Sequence, residues 1–209
     1  MIVELLYVVL SLAGVGVCIW IGEQLRKRRY HPEITRKSIH LSVATFAAFW
    51  PYYMSWTHIE LISLLLFFGV LFARRYGYFK SAFSVQRSTW GELFFAMSIG
   101  FTALLSQDAW IFTAAMLSLG IADGLAAVIG TLFGGGHQYK VFGSKKTRAG
   151  TIAFFVTTFF IVWICGVLNG PHDVWTTTIW LPILATIAEN VGTQGLDNLF
   201  IPILVAICL

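Results

Sequence analysis

The chain has 209 residues, of which 57% are hydrophobic and only 11% charged, and its formal net charge is +4. A soluble domain carries roughly 25% charged residues, so a soluble globular enzyme is excluded, and a nucleic-acid-binding surface has no soluble domain to occupy. The composition predicts an all-α fold: a polytopic transmembrane helical bundle formed by a single integral-membrane domain, residues 1–209.

Apolar segments fall at about 2–22, 41–57, 59–73, 93–107, 110–132, 151–168, 175–189 and 199–209, which predicts about seven or eight membrane helices. The first has no basic residues ahead of it and no Ala-x-Ala cleavage site, so it reads as a retained helix and not as a signal peptide. Cys18, Cys165 and Cys208 lie in apolar segments and read as small core residues. All 14 Lys and Arg fall in the first, third and fifth connections between segments, and the connections between these contain none. This asymmetry places the basic loops and the Glu189–Asp197 turn in the cytoplasm and the N-terminus outside. Trp50, Tyr52, Tyr53, Trp56, Trp110, Trp175 and Trp180 then lie near outer ends, as an interfacial belt.

Four groups of residues carry possible chemistry. Arg36-Lys37-Ser38-Ile39-His40 leads into the second segment, with Arg36 and His40 on one helical face. It reads as a phosphate clamp (Arg36, Lys37) with His40 as an acid–base group, or as a juxtamembrane anchor. Asp123 stands inside the fifth segment among Gly120, Gly124, Ala126, Ala127 and Gly130. A carboxylate there costs at least a few kcal/mol and marks a functional site by default. It suits Mg²⁺, which takes one or two carboxylates and completes its shell with water and phosphate oxygens; the alternative is a polar residue that joins helices.

The loop after this segment holds Lys140, Gly143, Ser144, Lys145, Lys146, Thr147, Arg148, Gly150 and Thr151. Positive charge, hydroxyls and the start of the next helix near Thr151 suit a phosphate. No Walker A spacing occurs. The last group, Glu189-Asn190 and Asp197-Asn198, flanks a Gly192–Gly195 turn. These residues are further ligands for the same metal or for a sugar, or else caps of a solvated turn. His58, Glu60, Asp108, Arg87 and Glu92 are weaker candidates.

These residues resemble those of the CTP-dependent lipid-alcohol kinases: dolichol kinase, phytol and farnesol kinases, and the CTP-dependent diacylglycerol kinase. The resemblance is carried by Glu33-x-x-Arg36-Lys37-x-x-His40, by Ala122-Asp123-Gly124-Leu125-Ala126-Ala127-x-x-Gly130-x-x-Phe133-Gly134 with Gly143-Ser144-Lys145-Lys146-Thr147-x-x-Gly150-Thr151, and by Glu189-x(7)-Asp197-Asn198-x-x-Ile201-Pro202. It implies transfer of the γ-phosphoryl group of CTP to the hydroxyl of a membrane lipid alcohol at the cytoplasmic face. It implies Mg²⁺ on Asp123, with Glu189 and Asp197 as further ligands, and one carboxylate as the group that orients or deprotonates the alcohol. Which carboxylate has which part stays open. The basic loop, helped by Arg36, Lys37 and Asn198, would hold the triphosphate. Two other readings remain at this stage: a phosphatidate cytidylyltransferase and a small transporter using Asp123 as a coupling site.

Overall fold

The computed structural model describes residues 2–78, 90–170 and 174–209. Lys80 and Arg87 lie outside them, as do the side chains of Glu33 and Trp175. Among the described residues the chain is helical almost throughout: α1 (Ile2–Lys27), α2 (Pro32–Ala47), α3 (Trp56–Tyr76), α4 (Gly91–Leu105), α5 (Ala109–Leu117), α6 (Asp123–Phe133), α7 (Arg148–Asn169), α8 (Val174–Val191) and α9 (Asp197–Cys208). A two-stranded hairpin, β1 (Gln138–Val141) and β2 (Ser144–Thr147), lies between α6 and α7.

Each expected apolar segment overlaps a helix. Four helical runs, Val3–Lys27, Trp56–Tyr76, Ala109–Phe133 and Arg148–Asn169, are long and apolar enough to cross a membrane. Gly91–Leu105 and Asp197–Cys208 are apolar but shorter. Leu5, Leu10, Trp20, Phe68, Phe72 and Leu104 point outward. Apolar surface on this scale belongs against lipid, and helices satisfy their backbone groups there without water.

The second segment departs most from expectation. Its apolar run predicts a span over 41–57, but the helix is Pro32–Ala47, followed by a 3₁₀ turn at Trp50–Tyr52. Pro51 explains the early end: it has no N–H to give the Ala47 carbonyl four residues back, and its ring clashes with that carbonyl in an α-helix. Pro32 suits the first helical turn, where its missing N–H costs nothing. Arg36, Lys37 and His40 therefore sit within a helix and not ahead of one.

The Ala109–Phe133 run is central. Phe112, Met116 and Leu119 are fully buried, together with Ile99 of α4, Phe154 of α7 and Ile201 of α9. Around this run, α7 packs on α5, α6 and α8, and α9 packs on α4, α5 and α8. Lipid supplies no hydrophobic drive between helices, so small residues and hydroxyls make the close crossings. A Cβ on Gly120 would lie 2.6 Å from the Ala44 methyl. The Ser63 and Thr113 hydroxyls donate to the carbonyls of Ala96 and Ala48, at 2.7 and 2.8 Å.

Between α5 and α6 the helix loosens into a π turn at Ser118–Ala122. The Asp123 N–H reaches the Ser118 carbonyl, five residues back. One residue inserted into a helix turns the face that follows by about 100°. Such turns are frequent at functional sites, and this one ends directly at the buried Asp123.

Candidate active site

The segment read as a basic loop contains the hairpin. Gln138 pairs with Thr147, Tyr139 with Lys146, Lys140 with Lys145 and Val141 with Ser144. The connecting residues Phe142 and Gly143 have φ values of 44° and 82°. Two successive positive φ angles give a two-residue turn the twist that the flanking strands need. Gly143 is thus a turn residue at an exposed tip.

Side chains alternate across strands, which puts Tyr139 and Lys146 together on the inner face. Tyr139 donates its phenolic proton to Asn190 Oδ1 of α8, and the Thr151 hydroxyl lies 2.5 Å from the same phenol oxygen. Lys146 donates to the Glu189 carboxylate and, at 2.9 Å, to the Glu189 carbonyl. The hairpin is therefore fastened at two points to the end of α8.

Thr147 ends the hairpin and caps α7: its hydroxyl oxygen accepts from the Gly150 N–H at 3.1 Å. The helix begins at Arg148, three residues ahead of the expected start at 151. Two glycines permit this geometry. A Cβ on Gly130 would lie 2.7 Å from the Thr147 hydroxyl, and one on Gly150 would lie 2.8 Å from the Ala126 carbonyl. The start of α7 thereby rests against α6, one to two turns from Asp123.

Here the expected groups converge on a cavity of about 690 Å³. Helix α2 contributes Arg36 and Lys37, α6 contributes Asp123 and its small-residue face, and the hairpin contributes Ser144, Lys145, Lys146 and Thr147. Gly150 and Thr151 come from the α7 N-terminus, and Glu189, Asp197 and Asn198 from the end of α8 and the start of α9. Two buried ion pairs cross it, Lys37 to Asp123 and Lys146 to Glu189. Lys37, expected to reach for the triphosphate, is held by Asp123. Burial opposes the charge on Lys146, but the charge and hydrogen bond of Glu189, together with the charges of Asp197 and Asp123, outweigh it and raise the amine above its ordinary range.

Two buried carboxylate oxygens, Glu189 Oε2 and Asp197 Oδ1, have no hydrogen-bond partner. Leaving such atoms unpaired carries a desolvation cost, which a cation would relieve. Among the described residues, no three His, Cys, Asp or Glu side chains gather closely enough to hold a metal by themselves. That donor set still fits Mg²⁺, which takes few protein ligands and uses phosphate oxygens for the rest.

Four expected residues do not line the cavity: His40, Lys140, Gly143 and Arg148. His40 is buried one turn past Arg36, its ring tilted against Phe95 with centroids 4.8 Å apart. Lys140 and Arg148 are exposed. The cavity also borders on His31, Thr131 and Gln138, which the sequence reading did not single out. Gly91 was missed as well. The Asn198 side-chain amide donates to its carbonyl at 2.9 Å, and a Cβ on Gly195 would lie 2.3 Å from the Gly91 Cα. The start of α4 is thus pressed onto the α8–α9 turn. Nothing local marks that contact, since its partners are far apart in sequence.

No protein-family model matches the chain, and no solved structure matches it. A curated relative does: the phytol kinase of Synechocystis sp. is 30% identical, over 95% of this chain and 88% of its own length. The chain belongs to the family of membrane lipid-alcohol kinases that includes phytol kinase.

Proposed function

We propose that this protein transfers the γ-phosphoryl group of CTP to the hydroxyl of a membrane prenol at the cytoplasmic face, with phytol the first acceptor to test. The observation that carries the reading is the convergence, in one cavity, of Asp123, Glu189 and Asp197 with Lys37, Lys145, Lys146 and Arg36. Phosphoryl transfer asks chiefly for positioning and charge neutralisation, and this cavity offers both signs of charge on rigid elements. Asp123, Glu189 and Asp197 are the residues that would hold Mg²⁺, which when bound neutralises the triphosphate and the charge that builds on its bridging oxygens.

The chain's own groups have separate tasks. Lys145, Lys146 and Arg36 attract and orient the phosphates. The α7 N-terminus, with Gly150 and Thr151 at the wall, offers N–H groups and the positive end of its dipole. Ser144 and Asn198 supply neutral hydrogen bonds. The lipid hydroxyl must come from the bilayer to the Asp123 end, where a carboxylate can take its proton. The resemblance to CTP-using kinases supports CTP as the donor.

The test uses the purified chain in detergent with Mg²⁺ and γ-labelled CTP, offered phytol, farnesol, a long polyprenol and diacylglycerol. Label in a prenol, with CDP released, is the expected result. Pyrophosphate release on adding phosphatidate would replace this reading with a cytidylyltransferase.

A further inference from the structure

We infer that Lys37 and Lys146 are exchangeable counter-ions: in the nucleotide-free protein they occupy the places on Asp123 and Glu189 that a divalent cation takes when it arrives already bound to a triphosphate. The inference deepens the proposed function and rests on it. Its consequence is an order of binding. The site accepts a metal–nucleoside triphosphate as one ligand and does not load the bare metal first.

Arg36, Lys37, Lys145 and Lys146 face Asp123, Glu189 and Asp197 across the cavity, so its charged side chains are already net positive before any ligand enters. Both ion pairs are poorly solvated: side-chain exposure is 10% and 5% for Lys37 and Asp123, and 17% and 7% for Lys146 and Glu189. A bare divalent cation would add two charges to this positive, poorly hydrated space, where desolvation is costly. The same ion on a triphosphate enters as part of a net anion.

The open oxygens fit this sequence of events. Glu189 Oε2 and Asp197 Oδ1 lack partners, while Glu189 Oε1 and Asp123 Oδ2 are held by the lysines. Without lysine movement, an ion meets too few oxygens to be held by protein alone, consistent with no three ligating side chains gathering among the described residues. A triphosphate supplies the missing oxygens and gives each displaced ammonium a new acceptor. Lysine suits the exchange. Its charge is compact, its stem flexible and its three donors rotate freely, whereas an arginine fork would fix the pairing.

The experiment measures Mn²⁺ binding by electron paramagnetic resonance on the purified chain in detergent, without and with CTP. The wild type should bind Mn²⁺ weakly alone and strongly with CTP. Lys37→Met should bind Mn²⁺ alone at least about tenfold more tightly than the wild type, since it uncovers the Asp123 charge. The double variant Lys37→Met with Asp123→Asn should lose that gain. Lys146→Met gives an independent reading at Glu189 should the first variant fail to fold. Tight Mn²⁺ binding by the wild type without nucleotide overturns the inference, and so does a folded Lys37→Met or Lys146→Met protein with no gain. Lipid phosphorylation by the wild type, measured separately, tells the two failures apart. Transfer without the gain removes the exchange alone, and the gain without transfer removes the kinase reading while the exchange stands.

Discussion

Val3–Lys27 and Ala109–Phe133 are each 25 residues long and apolar enough to cross a membrane, yet 22% of an apolar 18-residue stretch of the first is buried within the molecule and 67% of such a stretch of the second. Side-chain size accounts for the difference. The first run presents Leu5, Leu6, Leu10, Val17 and Trp20 to the outside. The second is rich in small residues, from Ala114 and Ala115 through Gly120, Ala122 and Gly124 to Ala126, and neighbouring helices close onto it. In lipid, apolar content decides that a segment spans and small-residue content decides that it is central. A central segment can also keep a carboxylate, because another helix can supply its counter-ion, as Lys37 does for Asp123.

That contrast can be broken at several places. The largest effect is expected at the one acid of the central run: Asp123→Asn should lower turnover by about 10³-fold or more, while size-exclusion chromatography shows a normally folded protein. Near-normal turnover would remove Asp123 from the chemistry. Next, Lys145→Ala with Lys146→Ala should raise the KM for CTP by about 10–100-fold, the range for lost hydrogen bonds from charged donors. A KM unmoved in steady-state kinetics would take the hairpin out of the nucleotide site.

Packing gives the third test. Gly120→Val puts a branched side chain where the Ala44 methyl stands, and overpacking of this kind costs about 1–3 kcal/mol, read as a lower Tm. Tyr139→Phe comes fourth. It removes the donor to Asn190, costs about 1 kcal/mol and should raise the KM for CTP only a few-fold by loosening the hairpin. The smallest effect belongs to the outer run. Gly16 has open space around its absent Cβ, so Gly16→Val should leave stability within about 0.5 kcal/mol. A Tm drop equal to that of Gly120→Val would end the distinction between the two runs.

The helices and the central acid could be read from the sequence because their signals are local: apolar runs, glycines and a misplaced charge. Proline placement was legible but outweighed by hydrophobicity at α2, where Pro51 ends the helix within an apolar run. The hairpin hides behind lysines and a glycine that equally suit a loop, and its inner face appears only once Tyr139 and Lys146 are seen side by side. Contacts between distant residues were beyond reach. Lys37 finds Asp123 across 86 positions, and Asn198 finds Gly91 across 107. No periodicity encodes such a pairing, so Lys37 read as a phosphate ligand and Gly91 did not stand out.

The Lys37–Asp123 pair also has a meaning for biosynthesis. A chain threaded into the bilayer from its N-terminus delivers Lys37 well before Asp123, so the acid meets a waiting partner as soon as α6 joins α2. Lys146, by contrast, precedes Glu189 by 43 positions and waits in the hairpin for α8 to follow. In both pairs the lysine is made first. For Asp123, which stands inside an apolar run, the costly step of placing a carboxylate at membrane depth is thus preceded by synthesis of the cation that offsets it.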